Sequence, residues 1–300
     1  MNAEDIKKVV ILGAGTMGQQ IGSACALHGY TTVVYDVSDH VLEQGKDRMA
    51  KLMKWMGAAG LVTPQEVDAG MQNLSFTTSM EEAARDCDII SESIPEDPGL
   101  KGEVLGKFND LCPEHTIFTT NTSTLLPSMF AEQTGRPDRL AALHFHDVRI
   151  TKVVDVMPHP GTSEETMKTI EAFARNIGQL PLVMKKESPG YVFNVMLSAL
   201  FKAAQQLAAN DVASVEDIDR AWMGVMHTPI GPFGIMDSVG LDTVWKITHY
   251  WAEKLDDLQA KKNAAFMKEY VDRGELGSKT GKGFYSYPTP EFTREDFLEK

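Results

Sequence analysis

Cysteine is scarce in this chain. Cys25, Cys87 and Cys112 are scattered and odd in number among 300 residues, which excludes a disulfide framework, shows no metal-ligand spacing and fits free thiols in a reducing compartment. Long hydrophobic runs are also missing. The stretch Val9–Leu12 is too short for a signal h-region, and nothing approaches the ~20 apolar residues of a membrane span. Positive charge is in deficit: 29 Lys and Arg against 42 Asp and Glu give a net charge of −13, a surface that repels nucleic acid and anionic membranes. The expectation is a cytoplasmic protein with no metal and with neither nucleic acid nor membrane as partner. Any anionic ligand must be caught by a local arrangement.

What is present is the composition of an ordinary globular protein, 43% hydrophobic and 24% charged, with length for about two domains. Short β-branched runs alternate with amphipathic stretches through the first part of the chain, which predicts a parallel sheet with crossover helices. Strands are expected at Val9–Leu12, Thr31–Tyr35, Leu74–Thr77, Asp88–Ile94, Ile117–Thr120, Leu140–Phe145, Val153–Val156 and Leu180–Met184. Thr63-Pro64-Gln65-Glu66 reads as a capping box with proline at the first helical position. Past Ser188-Pro189-Gly190 the regime changes to helices, with Tyr191–Ala209 long and nearly all apolar, and one further strand at Phe284–Tyr287. The fold class is α/β: a doubly wound Rossmann-type domain over residues 1–186 followed by an all-α domain over 187–300.

Gly13-Ala14-Gly15-Thr16-Met17-Gly18 is a G-x-G-x-x-G between the first strand and the first helix. Its first glycine makes a tight turn, the second lets the backbone approach a pyrophosphate, and the third lets helix pack on strand. The helix N-terminus at Thr16 and Met17 offers N–H groups and a positive dipole to phosphates. Asp36 closes the second strand, where a carboxylate accepts from a ribose 2′-hydroxyl and repels a 2′-phosphate; no arginine follows in Val37-Ser38-Asp39-His40. The cofactor expected is NAD.

Chemistry on a nicotinamide cofactor commonly pairs hydride transfer with a proton transfer, and histidine suits the second task because its pKa lies near working pH. His144 ends an apolar strand at the sheet's carboxyl edge, where open α/β sheets bind ligands. Strand alternation puts His146 on the same side, so the residues alone offer two candidate bases. Asn121 and Ser123 follow another strand to the same rim, where their plainer reading is a helix cap. Asn194, an amide among Val192, Phe193, Val195 and Met196, needs a hydrogen-bonding partner.

Several blocks in order resemble the L-3-hydroxyacyl-CoA dehydrogenase family over nearly the whole chain: Asn121-Thr122-Ser123-Thr124-Leu125, Leu143-His144-Phe145, Lys152-Val153-Val154-Asp155, Ser188-Pro189-Gly190-Tyr191-Val192-Phe193-Asn194, Ile230-Gly231-Pro232-Phe233-Gly234 and Gly277-Ser278-Lys279-Thr280-Gly281. The resemblance implies oxidation of a (3S)-3-hydroxyacyl-CoA to the 3-oxoacyl-CoA, reversibly, by a homodimer. It implies that His144 is the catalytic histidine and that Asp155 stands where the family has a glutamate that orients it. Ser123 and Asn194 would contact the substrate around its reacting oxygen. Glu96 and Lys101 would lie near the nicotinamide ribose and ligand, and Lys279 would reach the cofactor. The alternative enzyme is a dehydrogenase of a free small 3-hydroxy acid. A non-catalytic NAD-binding protein of the same fold is disfavoured by His144 and an acid at 155.

Three features depart from the family. The residues after His144 are not the usual Phe-Asn-Pro, with His146, Asp147 and Val148 here; the interval to Asp155 is one residue shorter; and the acid itself is shorter. In the stretch Lys51–Gly60, Leu52 and Ala59 fall where the family offers CoA polar and basic contacts. Only Lys51 and Lys54 remain nearby, so a weakened grip on the CoA nucleotide is expected.

Overall fold

The structure, a computed structural model, describes residues 2–299. Its eight strands are β1 (Lys8–Leu12), β2 (Thr31–Tyr35), β3 (Leu74–Thr77), β4 (Ile89–Glu92), β5 (Ile117–Thr120), β6 (Leu140–Phe145), β7 (Val153–Pro158) and β8 (Leu180–Val183), all in one sheet of order β3-β2-β1-β4-β5-β6-β7-β8. Each stands where the β-branched runs predict. The order runs outward from β1 in one direction and from β4 in the other, so the junction between β1 and β4 is a topological switch point.

The direction of the last two strands differs from the expected all-parallel sheet. β6 and β7 pair antiparallel, while β7 and β8 are parallel to each other. The reason is length: residues 146–152 between β6 and β7 are too few for a crossover, which takes a dozen or more, and they form a hairpin connection instead.

Helices α1 (Thr16–Leu27), α2 (Asp39–Ala58), α3 (Pro64–Gln72), α4 (Met80–Ala84), α5 (Pro98–Asn109) and α6 (Glu164–Asn176) accompany the sheet. The Thr63–Glu66 capping box closes in both directions, and Ser163 caps α6. Alternate residues of β1 enter opposite cores, Val9 and Ile11 with Ile21 and Met49, Val10 and Leu12 with Phe108 and Phe118, as a strand covered on both faces requires.

Chain contacts divide the molecule into one compact unit ending at Val192 and a second beginning at Phe193. The sequence reading divides it after residue 186. The difference arises because Tyr191, 2% exposed, belongs to the first unit. It adopts left-handed φ of 54° and cannot open a helix, so the apolar helix begins at Phe193.

The second unit comprises α7 (Phe193–Ala209), α8 (Val215–Met226), α9 (Pro232–Val239), α10 (Leu241–Lys254) and α11 (Leu258–Asp272). They enclose Phe201, Phe233, Met236, Leu241, Met267 and Tyr285. Two buried carboxylates tie the unit together. Asp219 accepts from the Phe233 and Gly234 amides at 2.8 and 2.9 Å and from the Tyr285 hydroxyl at 2.9 Å. Asp237 accepts from the Phe284 and Tyr285 amides, both at 2.9 Å, and from Tyr287 at 3.1 Å. That pinning replaces the strand expected at Phe284–Tyr287, where only an isolated Lys282–Ser286 bridge forms. Nor is α7 buried all round: Phe193, Val195 and Met196 are 47%, 48% and 59% exposed.

Candidate active site

Parallel pairing sends the ends of β1, β2, β4, β5 and β6 to one rim, and antiparallel pairing brings the start of β7 there too. The glycine loop follows β1. Gly13 has φ of +98°, and a Cβ on it would lie 2.6 Å from the Ser93 carbonyl oxygen; one on Gly18 would lie 1.9 Å from the Gly13 oxygen. A Cβ on Gly15 would meet nothing within 4 Å. Two glycines are therefore demanded by the fold itself, while the middle one keeps open the space a pyrophosphate would need. Thr16, Met17 and Gly18 form the first turn of α1, whose amides lack intrahelical acceptors. Asp36 accepts from the Ala14 amide at 2.9 Å and the Ser38 amide at 3.2 Å, which fixes its carboxylate beside the loop. These residues fit NAD.

On β4 and beyond lies a buried charge network. The Lys101 ammonium, on α5 and 1% exposed, bonds Glu92 at 2.6 Å, the Ile94 carbonyl at 3.1 Å and Glu96 at 3.2 Å. Its three N–H donors are matched by three protein acceptors, so Lys101 braces the rim from behind. The resemblance places Lys101 near the nicotinamide ribose and ligand, and these bonds fix its ammonium at the carboxyl edge of β4. Burial raises the pKa of Glu92 against the pull of Lys101 and Thr120. Glu96 goes the other way: burial opposes ionisation, but Thr122, Lys101 and Thr124 outweigh it and lower its pKa. Glu96 also accepts from the Ser123 amide at 3.1 Å, which shapes the turn after β5 and leaves Ser123 exposed. Asn121 accepts from the Phe145 amide at 2.7 Å, linking the ends of β5 and β6. Glu92 escaped the sequence reading; its only mark there is a charge closing an apolar strand.

His144 and Asp155 are direct cross-strand partners in the β6–β7 register. His144 is 5% exposed and Asp155 is fully buried. The Nδ1 of His144 lies 3.1 Å from Oδ2 of Asp155, so the shortened interval and the shortened acid compensate, and the pair is intact. The Nε2 of His146 lies 3.1 Å from the same oxygen, and the two rings meet edge to face at 4.8 Å. Burial alone would raise the pKa of Asp155; the hydrogen bonds to the two imidazoles more than offset it and hold the group below the usual value.

Tyr191 was also missed from sequence. Its ring stacks on that of His144, centroids 4.5 Å apart and 18° from parallel, and its hydroxyl donates to the Thr122 carbonyl at 2.6 Å. Burial and the surrounding carboxylates push its phenol far up, so it stays protonated. The sign in the sequence was Ser188-Pro189-Gly190, a turn that permits the left-handed residue after it.

Beside the glycine loop is a cleft of about 680 Å³ lined by Thr16, Gln20, Arg48, Lys51, Trp55 and Arg149, among others. The Val148 amide donates to Gln20 at 3.0 Å, tying the β6–β7 connection to α1 and carrying Arg149 into the cleft. Arg48 and Arg149 thus join Lys51 there. The expectation that Lys51 and Lys54 are the nearby cations is corrected; only folding brings Arg149 close.

In the second unit Asn194 is half-buried on the first turn of α7, and the Lys279 ammonium pairs with Asp242. The described residues contain no helix long and apolar enough to cross a membrane.

A glycine-loop dinucleotide site and a histidine–carboxylate pair on one rim define an NAD-dependent oxidoreductase acting on CH–OH. Comparison with known proteins agrees. Residues 8–188 match the family model described as 3-hydroxyacyl-CoA dehydrogenase, NAD binding domain, and residues 190–287 match 3-hydroxyacyl-CoA dehydrogenase, C-terminal domain. The chain belongs to the 3-hydroxyacyl-CoA dehydrogenase family. It is 33% identical to the mitochondrial hydroxyacyl-coenzyme A dehydrogenase of Rattus norvegicus, covering 94% of this chain and 91% of the relative. It is 33% identical to a probable 3-hydroxybutyryl-CoA dehydrogenase of Bacillus subtilis, covering 94% and 98%. Among solved structures, a diketoreductase described for dual catalysis of dicarbonyl compounds superposes with TM-score 0.87 at 35% identity, covering 94% of this chain and 99% of that one. The (S)-3-hydroxybutyryl-CoA dehydrogenase of Ralstonia eutropha gives 0.85 at 30%, covering 95% and 100%.

Proposed function

We propose that the enzyme oxidises (3S)-3-hydroxyacyl-CoA to 3-oxoacyl-CoA, reversibly, with His144 as the general base. The observation that carries this reading is the 3.1 Å bond between His144 Nδ1 and the buried Asp155. It commits Nδ1 to the carboxylate and leaves Nε2 to take the hydroxyl proton. Asp155 fixes the tautomer and stabilises the imidazolium as it forms. Bound NAD supplies the hydride acceptor. Gly13, Gly15, Thr16, Met17, Gly18 and Asp36 hold it, with Glu96 and Asn121 shaping the nicotinamide end. Ser123 and Asn194 contact the reacting oxygen, and Lys279 reaches the cofactor. Arg48, Lys51 and Arg149 offer charge-assisted bonds to the phosphates of CoA, in a cleft whose Trp55 is 48% exposed.

The test is NADH formation across free and CoA-linked 3-hydroxy acids of graded length, with His144→Gln as control; that substitution lowers kcat by ~10²–10⁴-fold while NAD still binds. A second reading, action on a small unactivated substrate, is favoured by the likeness to the diketoreductase. Turnover of free acids alone would establish it. We further infer a cytoplasmic homodimer formed through the second unit. Its support is the apolar exposure of Val195, Met196, Ile247, Tyr250 and Trp251 together with the free thiols. Light scattering giving a monomer mass would reject the dimer.

A further inference from the structure

The β6–β7 hairpin brings two imidazoles, not one, to a single carboxylate oxygen. Oδ2 of Asp155 is 3.1 Å from His144 Nδ1 and 3.1 Å from His146 Nε2. The other oxygen, Oδ1, is buried with no hydrogen-bond partner among the described residues. A fully buried carboxylate is costly to ionise unless its lone pairs are met. With Oδ1 unmet, the whole stabilisation from hydrogen bonding falls on the two ring donors. We infer that His146 is a second positioning residue of the reaction, sharing Asp155 with His144 so that the base is held by a His–Asp–His triad. The inference rests on the reading of His144 as the base.

The surrounding charges leave this arrangement intact. On the rim, Glu92 and Glu96 are bound to Lys101, and in the connecting loop Asp147 is paired with Arg149. The Tyr191 phenol is turned to the Thr122 carbonyl. Asp155 is thus the carboxylate in hydrogen-bond contact with both rings. The donor from His146 keeps Asp155 ionised and aimed, so that Nδ1 of His144 stays protonated and Nε2 stays free to accept. Removing the donor therefore loosens the hold on the carboxylate. Asp155 becomes easier to protonate, Nδ1 of His144 loses its ionised acceptor, and the acid limb of the rate profile moves to higher pH.

The experiment measures kcat/KM against pH for the wild-type enzyme, His146→Leu, His146→Gln and His144→Gln, with NAD affinity and melting temperature recorded for each. Losing one hydrogen bond to a buried charge predicts that His146→Leu falls about 10- to 100-fold at neutral pH. Its acid limb should rise by about one pH unit. His146→Gln retains an N–H donor, so it recovers most of that rate and leaves the limb near its wild-type position. A limb unmoved in His146→Leu overturns the triad, as does one moved equally by Gln and Leu. Loss in His144→Gln with a normal His146→Leu would reject the triad but keep the base; activity surviving in His144→Gln would reject the base itself. Should His146→Leu fail to fold, histidine-selective NMR of the wild-type protein decides. Two strongly deshielded imidazole N–H resonances are expected, both lost in Asp155→Asn, and a single one rejects the proposal.

Discussion

Asp155 in the first unit and Asp219 in the second are both fully buried, yet their pKa values move in opposite directions. Asp219 is driven by burial up to about 6, although two amides and a phenol hydrogen-bond to it, and the nearby Asp237 adds to the rise. Asp155 ends below its usual value because hydrogen bonds to two imidazoles, and less so the charge attraction of those rings, outweigh its burial. Amide donors fix geometry without being able to neutralise charge. The first carboxylate is built to stay ionised beside a group that changes charge. The second is a knot between α8, the start of α9 and the C-terminal segment.

The largest effect should separate them cleanly. Asp155→Asn should lower kcat by about 10⁴-fold, as loss of the acid in a histidine–acid pair does, with NAD binding and melting temperature little changed. Comparable activity in the variant would reduce Asp155 to a packing residue. Asp219→Ala should do the reverse. It strands the Phe233 and Gly234 amides and the Tyr285 hydroxyl, each costing about 1–3 kcal/mol when buried and unmet. Urea unfolding should therefore show a loss of about 3 kcal/mol or more in the second unit, while the first keeps NAD. A variant as stable as the parent would show that water replaces the carboxylate.

Asp36 stands between these extremes, half-buried and bonded to the loop it serves. Asp36→Ala should weaken NAD about 10- to 100-fold, the worth of a bond to a charged acceptor, and narrow the preference over NADP. Equal use of NADP by the wild-type enzyme would remove the role assigned to this carboxylate.

The smallest effect is in the pH dependence of stability, where the two aspartates oppose each other. A raised pKa means that the folded state holds a proton the unfolded chain has released. Stability from Asp219 is thus fully present below about pH 4 and lost as pH rises through about 6. Asp155 contributes above the ordinary carboxylate pKa and loses its contribution as pH falls through its lowered value. The two windows adjoin near pH 4, where the pair together contributes most. Asp219→Asn removes the fall between pH 4 and 6, so its stability should gain about 2 kcal/mol on the wild type across that range, readable as melting temperature against pH. Parallel curves would contradict the raised pKa.

Much of this was legible in the residues. All eight strands and the glycine loop could be read because each rests on local pattern or on order along the chain, whereas the pairing of His144 with Asp155 came only from the family resemblance. Strand direction could not be read, because hydrophobic alternation is the same either way; the short 146–152 connection was the available clue. Lys101 looks like any helical lysine until folding sets it against Glu92. Tyr191 sits in an apolar run whose periodicity hides a left-handed residue. His146 was visible as a candidate base, but two rings on one oxygen is a fact of the hairpin register.

The three glycines of the loop carry one further consequence. Gly13 and Gly18 have carbonyl oxygens where a side chain would go, whereas Gly15 has open space. A library screened for soluble expression should therefore tolerate alanine at Gly15 and reject it at the other two. The same library screened for retention on an immobilised dinucleotide should reject all three. Difference between the two screens would outline the cofactor's footprint on this chain without any crystal of the complex.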